Sequence, residues 1–171
     1  GNDLSHLEEL TQANHKVKFL SDDGKGVGDS RVMMDAMLKA ARLNLTIISH
    51  AESPEFSNVD MRLAENIMTW RDISLSKYTN CRLHLAHVST KEAIEYVIEA
   101  KSKGYPISCE VTPHHIALTE QIKYRVNPPL REQEDVEALI DAIKKGYVDC
   151  IATDHAPHSK EDKEKGAPGI S

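Results

Sequence analysis

Nine histidines stand among the 171 residues, and six of them fall between His84 and His158 in short clusters beside Asp, Pro and Thr. Several of these lie where an apolar run ends. Asp22 and Asp23 close one such run, His50 follows a second and His87 a third. His114 and His115 follow a fourth, and Asp154 a fifth. Imidazole and carboxylate side chains gathered from successive strands suit zinc or a similar divalent metal. Any one of them alone reads more readily as a hydrogen-bonded core residue; their recurrence at strand ends favours a metal site. His84, three residues before His87, falls on the opposite face of a strand and reads as structural. Asp22 and Asp23 also alternate in direction, and spacing alone does not choose between them. Thr153-Asp154-His155-Ala156-Pro157-His158 is the most specific segment. An aspartate there can take a proton from an attacking water and return it to a leaving group; the competing reading is a helix cap followed by a turn. Asn127-Pro128-Pro129-Leu130-Arg131 has two fixed φ angles and lacks two N–H donors, so it can present Asn127 and Arg131 stiffly to a polar ligand, or serve as a structural loop.

The elements that must position these groups alternate. Short apolar runs at 17–20, 45–49, 82–88, 107–111 and 148–153 read as strands. Helical spacing covers 30–44, 60–77, the stretch from 90 to about 103, and 134–145. Asp29 or Ser30 can cap the first of these helices, and Ser89-Thr90-Lys91-Glu92 reads as a capping box. The second places Leu63, Ala64, Ile67 and Trp70 on one face. The charged tail at 159–165 reads as a solvated loop. Regular alternation predicts a parallel sheet covered by helices. Chemistry collected at the C-terminal ends of strands favours a (β/α)8 barrel. A doubly wound sheet would instead show a phosphate loop, and Gly24-Lys25-Gly26-Val27-Gly28 lacks that spacing.

Composition narrows the class. Lys and Arg total 21 against 27 Asp and Glu, a net charge of −6, which argues against a nucleic-acid or anionic-membrane binder. No apolar run reaches the roughly 20 residues that cross a bilayer, and no secretory leader is expected at Gly1-Asn2-Asp3. Three scattered cysteines, Cys81, Cys109 and Cys150, make a poor disulfide framework and fit a reducing, cytoplasmic compartment.

Taken together, Ser21-Asp22-Asp23-Gly24, His50-Ala51-Glu52, His84-Leu85-Ala86-His87-Val88-Ser89-Thr90, Glu110-Val111-Thr112-Pro113-His114-His115, the Asn127–Arg131 segment, and Ala152-Thr153-Asp154-His155-Ala156-Pro157-His158 followed by Lys163 resemble the dihydroorotases of the amidohydrolase superfamily, the bacterial type with longer chains. The resemblance implies a metal-dependent (β/α)8 TIM barrel with two zinc ions. Residues 1–171 would be the C-terminal-side part of that one catalytic domain, about strands 4 to 8, with the N-terminal strands and their His-x-His pair outside this chain. It implies Asp23, His50, His87 and Asp154 as metal ligands, Asp154 as the catalytic acid–base, and Asn127, His158 and Gly169 as substrate-binding positions, with Arg131 a weaker candidate for the substrate carboxylate. The implied reaction is reversible hydrolysis of dihydroorotate to N-carbamoyl-aspartate in pyrimidine biosynthesis. Homodimer formation and association with aspartate carbamoyltransferase belong to the same expectation. The alternatives are an allantoinase, a dihydropyrimidinase, or a non-catalytic scaffold for aspartate carbamoyltransferase. The joins after Glu52, after Glu120 and after Lys163 are shorter than the resemblance leads one to expect, as if loops were left out.

Overall fold

The computed structural model describes residues 6–14, 16–22 and 24–169. Helix α1 (His6–Ala13) precedes five strands: β1 (Phe19–Ser21), β2 (Thr46–Ser49), β3 (Arg82–Leu85), β4 (Ile107–Val111) and β5 (Cys150–Ile151). Helices α2 (Ser30–Arg42), α3 (Met61–Thr79) and α4 (Lys91–Ser102) join the first four strands. Two helices, α5 (Pro113–Ala117) and α6 (Gln133–Lys144), join the last pair, and α7 (Lys160–Glu164) follows. All neighbouring strands pair in parallel, in the order β1-β2-β3-β4-β5. A doubly wound sheet reverses its strand order, whereas an order that never reverses is that of a barrel wall.

The helices start where their caps dictate. Asp29 accepts from the amides of Arg31 and Val32, at 2.7 and 3.1 Å, to open α2. Asp60 does the same for α3 through Arg62 and Leu63, at 2.8 and 3.0 Å. For α4 the cap is Thr90, whose hydroxyl accepts from the Ala93 amide at 3.1 Å. The expected capping box through Ser89 and Glu92 does not form, because Ser89 turns to Glu65 instead. The tail at 159–165 is a short helix rather than a solvated loop, capped by Ser159 at the Asp162 amide.

The core lies between the sheet and the helices. Leu83, Leu85, Ile107, Cys109 and Val111 point from the strands into Met33, Met37, Met68, Ile94, Val97 and Leu139 of the helices. Helix α3 corrects the face read from its sequence. Leu63, Ile67 and Trp70 are exposed, Trp70 by 61%, while Glu65, Met68, Thr69 and Asp72 are buried beside Ala64. The buried carboxylates have partners that reward that rotation. Asp72 accepts from Ser49 Oγ at 2.6 Å and from Arg71 at 2.6 and 2.8 Å. Glu65 accepts from the amides of Ser89 and Thr90 and from the Arg131 guanidinium. A buried charge is tolerated only when paired and hydrogen-bonded.

Candidate active site at the C-terminal strand ends

β1 and β2 deliver a carboxylate and an imidazole to one point. The Asp22 side chain is 3% exposed, and its carboxylate is paired with His50 Nδ1. Its second oxygen accepts from the His50 amide at 2.9 Å. The side-chain bond from the His50 ring to Asp22 raises the His50 pKa above the ordinary imidazole value, against the opposing effect of burial. With Nδ1 held by a carboxylate, Nε2 is the nitrogen left for a ligand, an arrangement that orients a metal-binding imidazole and raises its basicity. Asp23 lies outside the described residues.

Gly26 explains why this loop is rich in glycine. A Cβ there would fall 2.5 Å from the Glu52 carbonyl and 2.9 Å from that of His50. The loop therefore packs its backbone directly on the exit of β2, a close approach open only to glycine.

His87 sits two residues past the end of β3 at φ +36°. That turn takes it out of the strand's alternation and brings its ring centroid to 5.1 Å from that of His50. Burial first, and then the field of His50, lowers its pKa and keeps the imidazole neutral, the form that binds a metal. Asp154 follows β5 at φ +50°, and its negative field reaches His50, His87 and His114. His50, Glu52, Glu65, His87, Asn127 and Pro128 line a small solvent-open cleft.

Two residues that spacing left ambiguous acquire different roles. His115 is buried with both ring nitrogens engaged: Nδ1 lies 2.7 Å from the Thr112 hydroxyl, and Nε2 lies 3.0 Å from the Pro128 carbonyl. A carbonyl only accepts, so Nε2 carries the hydrogen and Nδ1 receives the one from Thr112. Burial lowers the His115 pKa to about 3. His115 thus positions the Asn127-Pro128 loop and is no ligand. His114 is 5% exposed, and its Nε2 has no hydrogen-bond partner among the described residues.

Asn127 is pinned at the cleft by a 2.8 Å bond from Nδ2 to Glu52 Oε2. Arg131 is not at the cleft as a free cation. It is 8% exposed, and its guanidinium donates to Ser89 Oγ, Glu65 Oε2 and the Met61 carbonyl. This corrects its reading as the group that grips a substrate carboxylate: a guanidinium spent on a buried carboxylate is a structural tie. His158 is exposed and lies against Gly169, where a Cβ would meet the His158 Cδ2 at 2.4 Å and the Ala156 carbonyl at 1.9 Å. The structure therefore brings His158 and Gly169 together, but neither lines the cleft. Lys163 anchors this segment. Its ammonium donates to the carbonyls of Arg125 and Gly169, both at 2.6 Å, and sits 4.1 Å over the Tyr124 ring.

The donor types gathered here, imidazole and carboxylate, are those that hold zinc. Two imidazoles face each other, one oriented by a carboxylate and the other held neutral by burial, with the Asp154 field across both. The buried, unpartnered His114 Nε2 adds an uncommitted donor to the same rim.

No family model matches the chain. Among curated proteins it is 56% identical over 171 residues to a dihydroorotase of Clostridium botulinum, covering 99% of this chain and 43% of that one. It is 39% identical to a dihydroorotase of Carboxydothermus hydrogenoformans, covering 95% of this chain and 43% of the relative. The chain thus spans about two fifths of the length of the curated relatives it matches. The near-gapless alignment to the Clostridium protein shows that it shares the short joins after Glu52, Glu120 and Lys163, so these are a property of the sequence and not omitted loops. The Carboxydothermus alignment runs to 185 positions, longer than this chain, as an insertion in that relative requires. Among solved structures, a D-hydantoinase from Bacillus sp. AR9 superposes with a TM-score of 0.84 at 25% identity, over 95% of this chain and 42% of its own. A D-hydantoinase (dihydropyrimidinase) from Thermus sp. gives 0.84 at 24%, over 98% and 45%. These neighbours are barrel amidohydrolases, and the five strands follow part of their wall. By sequence this chain is similar, over nearly its whole length, to part of the curated dihydroorotases.

Proposed function

We propose that residues 1–171 form the C-terminal-side part of the catalytic barrel of a zinc-dependent dihydroorotase, with the remaining strands supplied from outside this stretch. The observation that carries the reading is the His50–His87 pair at the C-terminal strand ends, 5.1 Å between ring centroids and under the field of Asp154. Asp23, His50, His87 and Asp154 would hold the metal, two zinc ions per site by resemblance to the family. Bound there, zinc would lower the pKa of water toward neutrality and polarise the ring carbonyl.

The residues supply the rest. Asp22 fixes the His50 ring so that Nε2 faces the site. The Asp154 carboxylate receives the proton of the attacking water and then delivers it to the departing ring nitrogen, giving N-carbamoyl-aspartate; ring closure is the same path reversed. Asn127, held by Glu52, and the His158–Gly169 corner would place the substrate. A scaffold without catalysis would not need the His50–His87–Asp154 arrangement. The free state of the three cysteines accords with a cytoplasmic enzyme, and no helix among the described residues is long and apolar enough to cross a membrane.

The second reading, a hydantoinase-like cyclic amidohydrolase, is favoured by the structural neighbours. Turnover of dihydroorotate, hydantoin and allantoin by the purified full-length protein separates the two. We expect kcat/KM for dihydroorotate to exceed the others by at least 100-fold. Preference for hydantoin or allantoin would overturn the assignment.

A further inference from the structure

One layer below the rim, on the sheet face that carries no helices, the strands assemble a second group of ligand-type side chains. His84 of β3 pairs in register with Ser108 of β4, and Glu110 of β4 pairs with Cys150 of β5. Register and alternation therefore put His84, Ser108, Glu110 and Cys150 on one face. His84 Nε2 lies 3.1 Å from Glu110 Oε2, and Cys150 Sγ lies 3.8 Å from the same oxygen. The three ligand atoms all lie within 4.8 Å of one another, and among the described residues no other such group of three occurs. Donors around a tetrahedral zinc, bound at about 2.0–2.3 Å, stand roughly 3.3–3.7 Å apart, so a small inward adjustment would suffice.

The second shell is also in place. Ser108 Oγ lies 2.8 Å from His84 Nδ1 and 3.4 Å from the Leu83 carbonyl. Held at Nδ1 by that hydroxyl, the ring presents Nε2 to the Glu110 carboxylate. Nε2 and the Glu110 oxygen, 3.1 Å apart, share either a proton or a metal ion. A proton makes them an ion pair; a metal ion would draw in Cys150 as well.

We propose that His84 Nε2, a Glu110 carboxylate oxygen and Cys150 Sγ form a metal site distinct from the rim, selective for zinc or a similarly thiophilic divalent ion. Three protein donors of mixed N, O and S type suit such an ion and leave one coordination position open. Binding displaces the Cys150 thiol proton and any proton between His84 and Glu110 to solvent, so affinity rises with pH. The site uses none of the residues assigned to the proposed reaction and stands or falls apart from it.

Cobalt reports on it selectively, because only a thiolate ligand gives the sulfur-to-Co(II) charge-transfer band in the near ultraviolet, and none of the proposed rim ligands is a thiol. The full-length protein, stripped with chelator and titrated with Co2+, should develop that band to the intensity of one thiolate-bound cobalt per chain, beyond the ions taken up by the rim. Cys150→Ser should abolish it, and His84→Ala should weaken its formation at least tenfold. Absence of the band, or its persistence in Cys150→Ser, overturns the proposal.

Discussion

One face of the sheet carries Leu83, Leu85, Ile107, Cys109 and Val111, all nearly or wholly buried under α2, α3, α4 and α6. The other carries Phe19, Ile48, His84, Ser108 and Glu110, none of them buried, with Phe19 61% exposed. Parallel sheets are normally covered on both faces, because crossover helices and a closed barrel leave neither to solvent. The difference teaches where each kind of residue belongs in this architecture. The helix side needs only shape and apolarity. The open side mixes an aromatic, an aliphatic and a bonded His–Ser–Glu group, the composition of a barrel interior packed in layers beneath a catalytic rim.

Substitutions can break or sharpen that contrast. Glu65→Ala should be the most damaging on the helix side, since it strands the buried Arg131 guanidinium and frees the amides of Ser89 and Thr90. A loss of about 3–5 kcal/mol is expected in urea unfolding; a loss under 1 kcal/mol would mean that Arg131 reaches water easily. Leu83→Ala, at a wholly buried site, should cost about 2–5 kcal/mol. Phe19→Ala tests the other face. If strands from outside residues 1–171 close over it, the cost in the full-length protein is about 3 kcal/mol. If the face is solvent, the cost stays within about 0.5 kcal/mol, and the barrel reading fails.

The smallest effect concerns His115. Its folded pKa of about 3 lies below the ordinary 6.5, so below pH 6.5 the unfolded chain binds the extra proton. Stability is then full above 6.5 and falls as pH drops toward 3, by up to about 1.4 kcal/mol per unit. His115→Gln keeps a donor for the Pro128 carbonyl and removes the titration. The variant should lose about 2 kcal/mol less than the parent between pH 6.5 and 5; identical pH dependence would contradict the neutral, buried assignment.

The strands, and the place of His50 and His87 at their C-terminal ends, were legible because short apolar runs ending in His or Asp leave few other interpretations. The α3 face was not. Leu63, Ile67 and Trp70 outweigh Glu65 and Asp72 on hydropathy, and only the partners Arg131, Ser49 and Arg71, distant in sequence or hidden by adjacency, reverse the orientation. The same blindness misplaced Arg131, whose partner Glu65 lies 66 residues away. His84 was rightly separated from the rim by alternation, but its neighbours Ser108, Glu110 and Cys150 come from other strands, and only register unites them. The Asp22–His50 pair was open to the same difficulty: sequence offered two aspartates, and the structure shows Asp22 orienting His50 from behind.

The central claim is that Asp154 moves the proton at a metal-holding rim. Steady-state hydrolysis of dihydroorotate by the full-length Asp154→Asn variant, with circular dichroism to verify the fold, tests it most directly. The account predicts a folded protein with turnover lowered by at least 1,000-fold. Turnover within tenfold of the parent would contradict it and return Asp154 to a purely structural place at the end of β5.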